Sequence, residues 1–154
     1  MANKIKHPNY ESAGAWAKRY FLASRAVMES VLRPYDLGNT QWYVLYQLTN
    51  GGPTNQRDLM HMLKIERATV SGVIAALVRK GLIEQIPDPA DQRQKVLQIT
   101  TAGANLWGSL PDPIAIIMTV AFDGVDDTDI ATASRVLNDA TQRLINFKTG
   151  GNKV

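Results

Sequence analysis

Apolar residues recur at helical spacing from Ser12 to Arg33, at Trp16, Tyr20, Phe21, Val27, Met28 and Val31, which predicts one long amphipathic helix. Pro34 ends it, because proline restricts the residue before it and donates no backbone hydrogen bond. After the turn Asp36-Leu-Gly-Asn39, Thr40 is a good N-cap for a second helix running to about Thr49, and Asn50-Gly-Gly-Pro53 stops that helix. This second helix is apolar or aromatic nearly all the way round. Val44, Leu45 and Leu48 are expected to face the core while Trp42, Tyr43 and Tyr46 point elsewhere. A short helix with two apolar faces is buried on two sides.

The pattern changes between Thr54 and Thr100. A capped helix is expected from Asn55 to Leu63, then a tight turn at Lys64–Ile65, then a second amphipathic helix from Glu66 to Lys80 stopped by Gly81. Two β-prone runs, 82–86 and 96–100, bracket a charged loop with the sequence Asp88-Pro-Ala-Asp91-Gln-Arg93-Gln-Lys95. Two short helices followed by a hairpin is the layout of a winged helix-turn-helix. Beyond the hairpin, Thr101 is expected to cap a helix that breaks near Pro111, since an interior proline costs about 3 kcal/mol. Asp112-Pro113 restarts a strongly apolar helix that ends at Gly124, and Asp126 opens a final helix with Asp127 and Asp129 in its first turn. The tail from Thr149 to Val154 is expected to fray.

The 66–80 helix places Val70, Val73, Ile74 and Leu77 on one face, which should pack inward. Its opposite face carries Ala68, Gly72, Ala75 and Arg79, flanked by Arg67, Thr69 and Ser71. Small side chains suit a helix that slides into a DNA major groove about 12 Å wide. Thr and Ala can touch thymine methyls, Ser and Thr can bond base edges or phosphates, and Arg67 can reach guanine or phosphate. Gly72 is unfavourable there by about 1 kcal/mol relative to alanine, which close approach to DNA or to a neighbouring helix would explain. A plain solvated amphipathic helix would show the same face, so the hairpin decides the matter. Pro87 and Pro89 stiffen the entry to its loop, and Asp88 and Asp91 suit turn positions. Arg93 and Lys95 project from the ribbon, and Asp91 is placed to hold the Arg93 guanidinium ready for a narrow minor groove.

Composition narrows the function classes. The chain has 154 residues, 45% of them hydrophobic and 20% charged, which describes an ordered single domain. Residues 1–35 hold six basic side chains (Lys4, Lys6, Lys18, Arg19, Arg25, Arg33) against two acidic ones, while 101–147 hold six Asp against Arg135 and Arg143. A basic front and an acidic rear suit a protein that points one end at a polyanion. There is no cysteine, which excludes disulfides, thiol nucleophiles and thiolate metal sites. No apolar run approaches the roughly 18–20 residues that span a bilayer, and the first residues do not resemble a signal peptide, so no membrane partner and a cytoplasmic location are expected. His7 and His61 are the only histidines, and no spacing suggests a serine, histidine and carboxylate constellation. No enzyme activity, no metal site and no cofactor are expected.

The chain resembles the MarR family of bacterial transcriptional regulators along nearly its whole length. The resemblance rests on the stretch from Ala68 to Ile83, the wing Asp88-Pro-Ala-Asp91-Gln-Arg93 and the exit from Leu97 to Gly103. It implies a mainly α fold with a small β-hairpin wing (α+β): a winged helix-turn-helix lobe over 40–100 within a single 1–154 domain. The segments 5–35 and 101–148 would be N- and C-terminal dimerisation helices of an interlocked homodimer. It implies that Arg67, Thr69 and Ser71 face the major groove, with Arg93 at the minor groove, on a pseudo-palindromic double-stranded operator. The full set of DNA contacts expected is Arg67, Ala68, Thr69, Ser71, Gly72, Arg79, Asp91, Arg93 and Lys95. It further implies a repressor released when a small aromatic or phenolic anion binds. Candidate ligand residues are Trp16, Arg19 and Tyr20 on the first helix, Trp42, Tyr43 and Tyr46 on the second, and Trp107 before the proline break. One departure is the segment Leu110-Pro-Asp-Pro113, which interrupts the family's long fifth helix and bears on its straight dimer stalk. The alternative is a winged-helix protein-interaction module without DNA binding. Arg67, Arg93 and Lys95 together disfavour it.

Overall fold

The computed structural model describes residues 11–150; Lys4, Lys6, His7 and the tail beyond Gly150 lie outside the described residues. The chain divides into two compact units, one through Pro113 and the other from Ile114. In the first unit α1 spans Ala13–Leu32, a 3-10 turn Arg33–Tyr35, α2 Asn39–Gly51, β1 Thr54–Asn55, α3 Gln56–Leu63, α4 Arg67–Arg79, β2 Ile83–Pro87, β3 Lys95–Ile99 and α5 Thr101–Ser109. This is the mainly helical architecture with a small antiparallel sheet that the hydrophobic pattern predicts.

Local chemistry accounts for the boundaries. The Ser12 hydroxyl accepts the Ala15 N–H at 3.2 Å and caps α1. Leu32 ends its α-helical run just ahead of Pro34, as expected, and Pro34 sits inside the 3-10 turn that follows. The second helix begins earlier than expected: Gly38 is its N-cap, Thr40 lies inside it, and the Gln41 side chain accepts the Gly38 N–H at 3.1 Å. Asn55 and Asp58 cap α3 reciprocally. The Asp58 N–H donates to Asn55 Oδ1 at 2.8 Å, and Asn55 Nδ2 donates to the Asp58 carboxylate at 3.0 Å. Lys64 then takes a left-handed conformation with φ 52°, which makes the tight turn into α4. Thr100, not Thr101, caps α5 by accepting the Gly103 N–H at 3.0 Å.

The sheet order is β1-β3-β2, with β3 in the centre. The hairpin pairs Ile83 with Ile99 through Pro87 with Lys95. The β1 strand was not expected. Its two residues pair Thr54 with Leu97 and Asn55 with Val96, which ties the start of α3 to the base of the wing. Two residues are too few to show a period of two, so no pattern announces this strand.

The core of this unit is Leu37, Val44, Leu45 and Leu48 with Leu59, Val70, Ile74, Leu77, Ile83 and Leu97, all buried. The α2 helix touches α1 and α5 as well as α3, α4 and β3, so it is buried on two sides. Trp42, expected to point away from the core, is 4% exposed and belongs to it. Gly103 marks the closest approach: a β-carbon there would meet the Leu82 carbonyl group and sit 2.7 Å from Ile99 Cγ1. The same seam holds the Thr100 N–H on the Leu82 carbonyl at 3.1 Å and the Thr100 hydroxyl on the Gly81 carbonyl at 2.6 Å.

The proline break falls where expected, since α5 stops at Ser109 and α6 runs Pro113–Ala121. The second unit holds the rest of α6 and the long α7, Asp127–Thr149. Gly124, at φ 73°, makes the turn between them. Asp126 caps α7 by accepting the Thr128 N–H at 2.8 Å, and this bond holds its carboxyl below the usual aspartate range. No residue of α7 is buried. Among the described residues, no helix is long and apolar enough to cross a membrane.

Candidate nucleic-acid interface

The α4 helix buries Val70, Ile74 and Leu77 and leaves Arg67, Ala68, Thr69, Ser71, Gly72 and Arg79 exposed. A β-carbon added at Gly72 would meet nothing within 4 Å, so no neighbouring helix crowds it. Close packing of a neighbouring helix therefore does not account for the glycine. Ser71 is not free of the protein: Gln56 Nε2 donates to its hydroxyl at 2.8 Å, which joins the first turn of α3 to α4. That bond occupies an acceptor site on the hydroxyl and leaves its proton available to an outside acceptor.

Beside this face lies an open cleft of about 460 Å³, lined by Asn55, Gln56, Arg57, Met60, Arg67, Gln94 and Lys95. It gathers three cations, Arg57, Arg67 and Lys95, from α3, α4 and the base of the wing. Two of them were expected from sequence. Arg57 was missed although it lies in the first turn of α3, where the helix dipole favours an anion. The unannounced β1 strand is what brings that turn beside Lys95.

At the wing tip the structure corrects one expectation. Asp91 does not hold the Arg93 guanidinium; its carboxylate accepts the backbone N–H of Arg93 at 3.1 Å, while its carbonyl accepts the Gln94 N–H at 2.9 Å. Asp88 shapes the other side of the loop by accepting the Ala90 N–H at 2.9 Å. Short aspartates satisfy nearby backbone more readily than a long side chain that water solvates. Asp91 is thus a turn former, and Arg93 and Lys95 are exposed on the ribbon.

The aromatic candidates fall into two groups. Trp42 stacks on Tyr46 with centroids 5.3 Å apart, meets Tyr43 edge-on at 5.2 Å and lies 5.4 Å from Trp107. Burial pushes the Tyr43 phenol pKa up. On α1, the Arg19 guanidinium lies 4.7 Å from the Trp16 ring centroid, a cation–π arrangement, with Tyr20 exposed nearby in sequence.

Two short helices, a tight turn and a charged β-ribbon make the first unit a winged helix-turn-helix. The MarR family model matches residues 35–94, from the start of α2 through the wing loop. Over those residues the chain is similar to the MarR family. Among curated relatives it is 26% identical over 100 residues to the transcriptional repressor NicR of Pseudomonas putida, covering 65% of this chain and 63% of that protein. It is 30% identical over 80 residues to the transcriptional activatory protein BadR of Rhodopseudomonas palustris, covering 50% and 46%. The chain spans between 46% and 66% of the length of the first curated relatives that it matches. Its fold is that of Bordetella bronchiseptica BpsR, whose DNA binding is regulated by 6-hydroxynicotinic acid (TM-score 0.77, 24% identity, 86% of this chain and 94% of that one). A MarR variant from E. coli, solved with operator DNA, matches with a TM-score of 0.76 and 20% identity over 82% and 91% of the chains.

Proposed function

We propose that this protein is a homodimeric, sequence-specific DNA-binding transcriptional repressor that a small aromatic or phenolic anion releases from its operator. The observation that carries this reading is the exposed, small-residue face of α4 set beside a cleft containing Arg57, Arg67 and Lys95. A helix clear of bulky side chains enters a major groove, and cations beside it seat the phosphates. Arg67, Thr69 and Ser71 face the bases, Ala68 and Gly72 allow close approach, and Arg79 and Lys95 meet the backbone. Arg93 enters the minor groove, with Asp91 shaping the turn that presents it. The lobe over 40–100 reads DNA, while α1 and α7 carry exposed apolar residues, such as Phe21 and Leu144, for a second copy to cover.

The ligand would lie on the exposed edges of Tyr43 and Tyr46, because Trp42 already packs against both rings and Trp107 against that of Tyr46. Trp16, Arg19 and Tyr20 complete the ligand set, and Arg19 supplies the positive charge. Regulation of BpsR by 6-hydroxynicotinic acid supports an aromatic acid as the class. A gel shift on the promoter beside the protein's own gene tests DNA reading, and hydroxylated aromatic acids added to the shifted complex test release. A specific shift reversed by one such acid is expected. Absence of any sequence-preferred shift would favour a protein-interaction module instead.

A further inference from the structure

The C-terminal end of α4 is tied to a distant corner of the fold by one side chain. Lys80 caps the helix, with its N–H on the Ala76 and Val78 carbonyls. Its ammonium donates to the Asp36 carbonyl and to Gln41 Oε1 at 3.1 Å, and lies 3.5 Å from the Asp36 carboxylate. Three acceptors match the three donors of an ammonium. The Lys80 side chain is 29% exposed, against 95% for that of Asp36, so the neutral acceptors carry the contact more than the solvated ion pair does.

The corner that receives Lys80 is itself well held. Asp36 has φ 55°, the left-handed conformation, which closes the 3-10 turn. Leu37 donates back to the Leu32 carbonyl at 3.4 Å, and Gln41 Oε1 also accepts the Gly38 N–H at 3.1 Å. Lys80 therefore joins the end of α4 to the end of α1 and to the first turn of α2. The buried stripe Val70, Ile74 and Leu77 seats one face of α4, and the Lys80 contacts add a fixed point beyond the C-terminal end of that stripe. Reading helices present their N-terminal residues to base edges, so a side chain fixed at the opposite end acts on their angle rather than on DNA.

We propose that Lys80 is a positioning residue: it sets the tilt of α4 by latching its C-terminus to the corner between α1 and α2. The proposal rests on the reading of α4 as the DNA-contacting helix, and its test has one arm that does not.

Hydrogen exchange on the full-length protein without DNA compares the native chain with Lys80→Met, which keeps the aliphatic stem, and Lys80→Arg, which keeps the charge. In Lys80→Met the amides of Gly81, Leu82 and Leu37 should exchange roughly tenfold faster, with α3 unchanged, and Lys80→Arg should restore most of the protection. Unchanged exchange at these amides overturns the latch whatever the protein does on DNA. On operator DNA, Lys80→Met should weaken binding about tenfold without altering the slope of log affinity against log salt. A slope reduced by about one would assign Lys80 to a phosphate and also overturn the proposal. If the native chain shows no specific DNA binding, the proposed function fails while the exchange arm still decides the latch.

Discussion

α4 and α7 are both amphipathic, yet α4 buries Val70, Ile74 and Leu77 within its own chain while the 23-residue α7 buries no residue at all. The apolar residues of α7, among them Leu137, Leu144, Ile145 and Phe147, are exposed. Isolated helices are marginal in water, and most helical stability in proteins comes from packing an apolar face. The first helix has its packing partner in the lobe. The second has no buried residue in its own chain, and the proposed second copy would supply its partner. The lobe is thus stabilised at any concentration, whereas α7 should depend on assembly.

The contrast breaks most directly at the core. Leu77→Ala should destabilise the lobe by about 2–5 kcal/mol, read by denaturant unfolding, whereas Leu144→Ala should leave the lobe intact and raise the concentration needed for dimers in sedimentation. Equal losses in both variants would end the distinction. Gly103→Ala should come next, at roughly 1–3 kcal/mol, because its β-carbon would be driven against the Leu82 backbone and the Ile99 side chain. A neutral effect on the melting curve would show that the α5 seam yields easily.

Gly72→Ala should act in the opposite sense. With nothing within 4 Å of the added carbon, the free protein should gain about 1 kcal/mol from helix propensity, while operator affinity falls if DNA approaches that point. Gain in both would remove Gly72 from the interface. The smallest effect is at the start of α7. The Asp126 carboxyl is held below its ordinary range by the Thr128 N–H, so its contribution is complete above the unfolded-state value and is lost as pH falls through the lower folded value. The helicity of α7 should therefore fray on strong acidification, and Asp126→Asn, which keeps the cap, should flatten that dependence in circular dichroism.

Most of the lobe was legible in the sequence because its signals are local. Asn55 as a cap, Gly81 as a stop and the spacing of Val70, Ile74 and Leu77 each report on a few neighbouring residues. What escaped depends on distant contacts. The β1 strand exists only because Thr54 and Asn55 meet Leu97 and Val96, and the place of Arg57 in the cleft follows from that pairing. Trp42 is buried because α1, α5 and the lobe all reach α2. The spacing of Asp91 and Arg93 predicts a carboxylate on the guanidinium, but the turn backbone takes that carboxylate first.

In the proposed function the α4 face, the cationic cleft and the wing read DNA together. It is tested most directly by measuring operator affinity against salt concentration for the native chain, Arg93→Ala and Arg67→Ala. The native affinity should fall steeply with salt, and each variant should bind about 1–3 kcal/mol more weakly, with relaxed sequence preference where the side chain meets a base. Unchanged affinity in both variants, or a native affinity indifferent to salt, would contradict it.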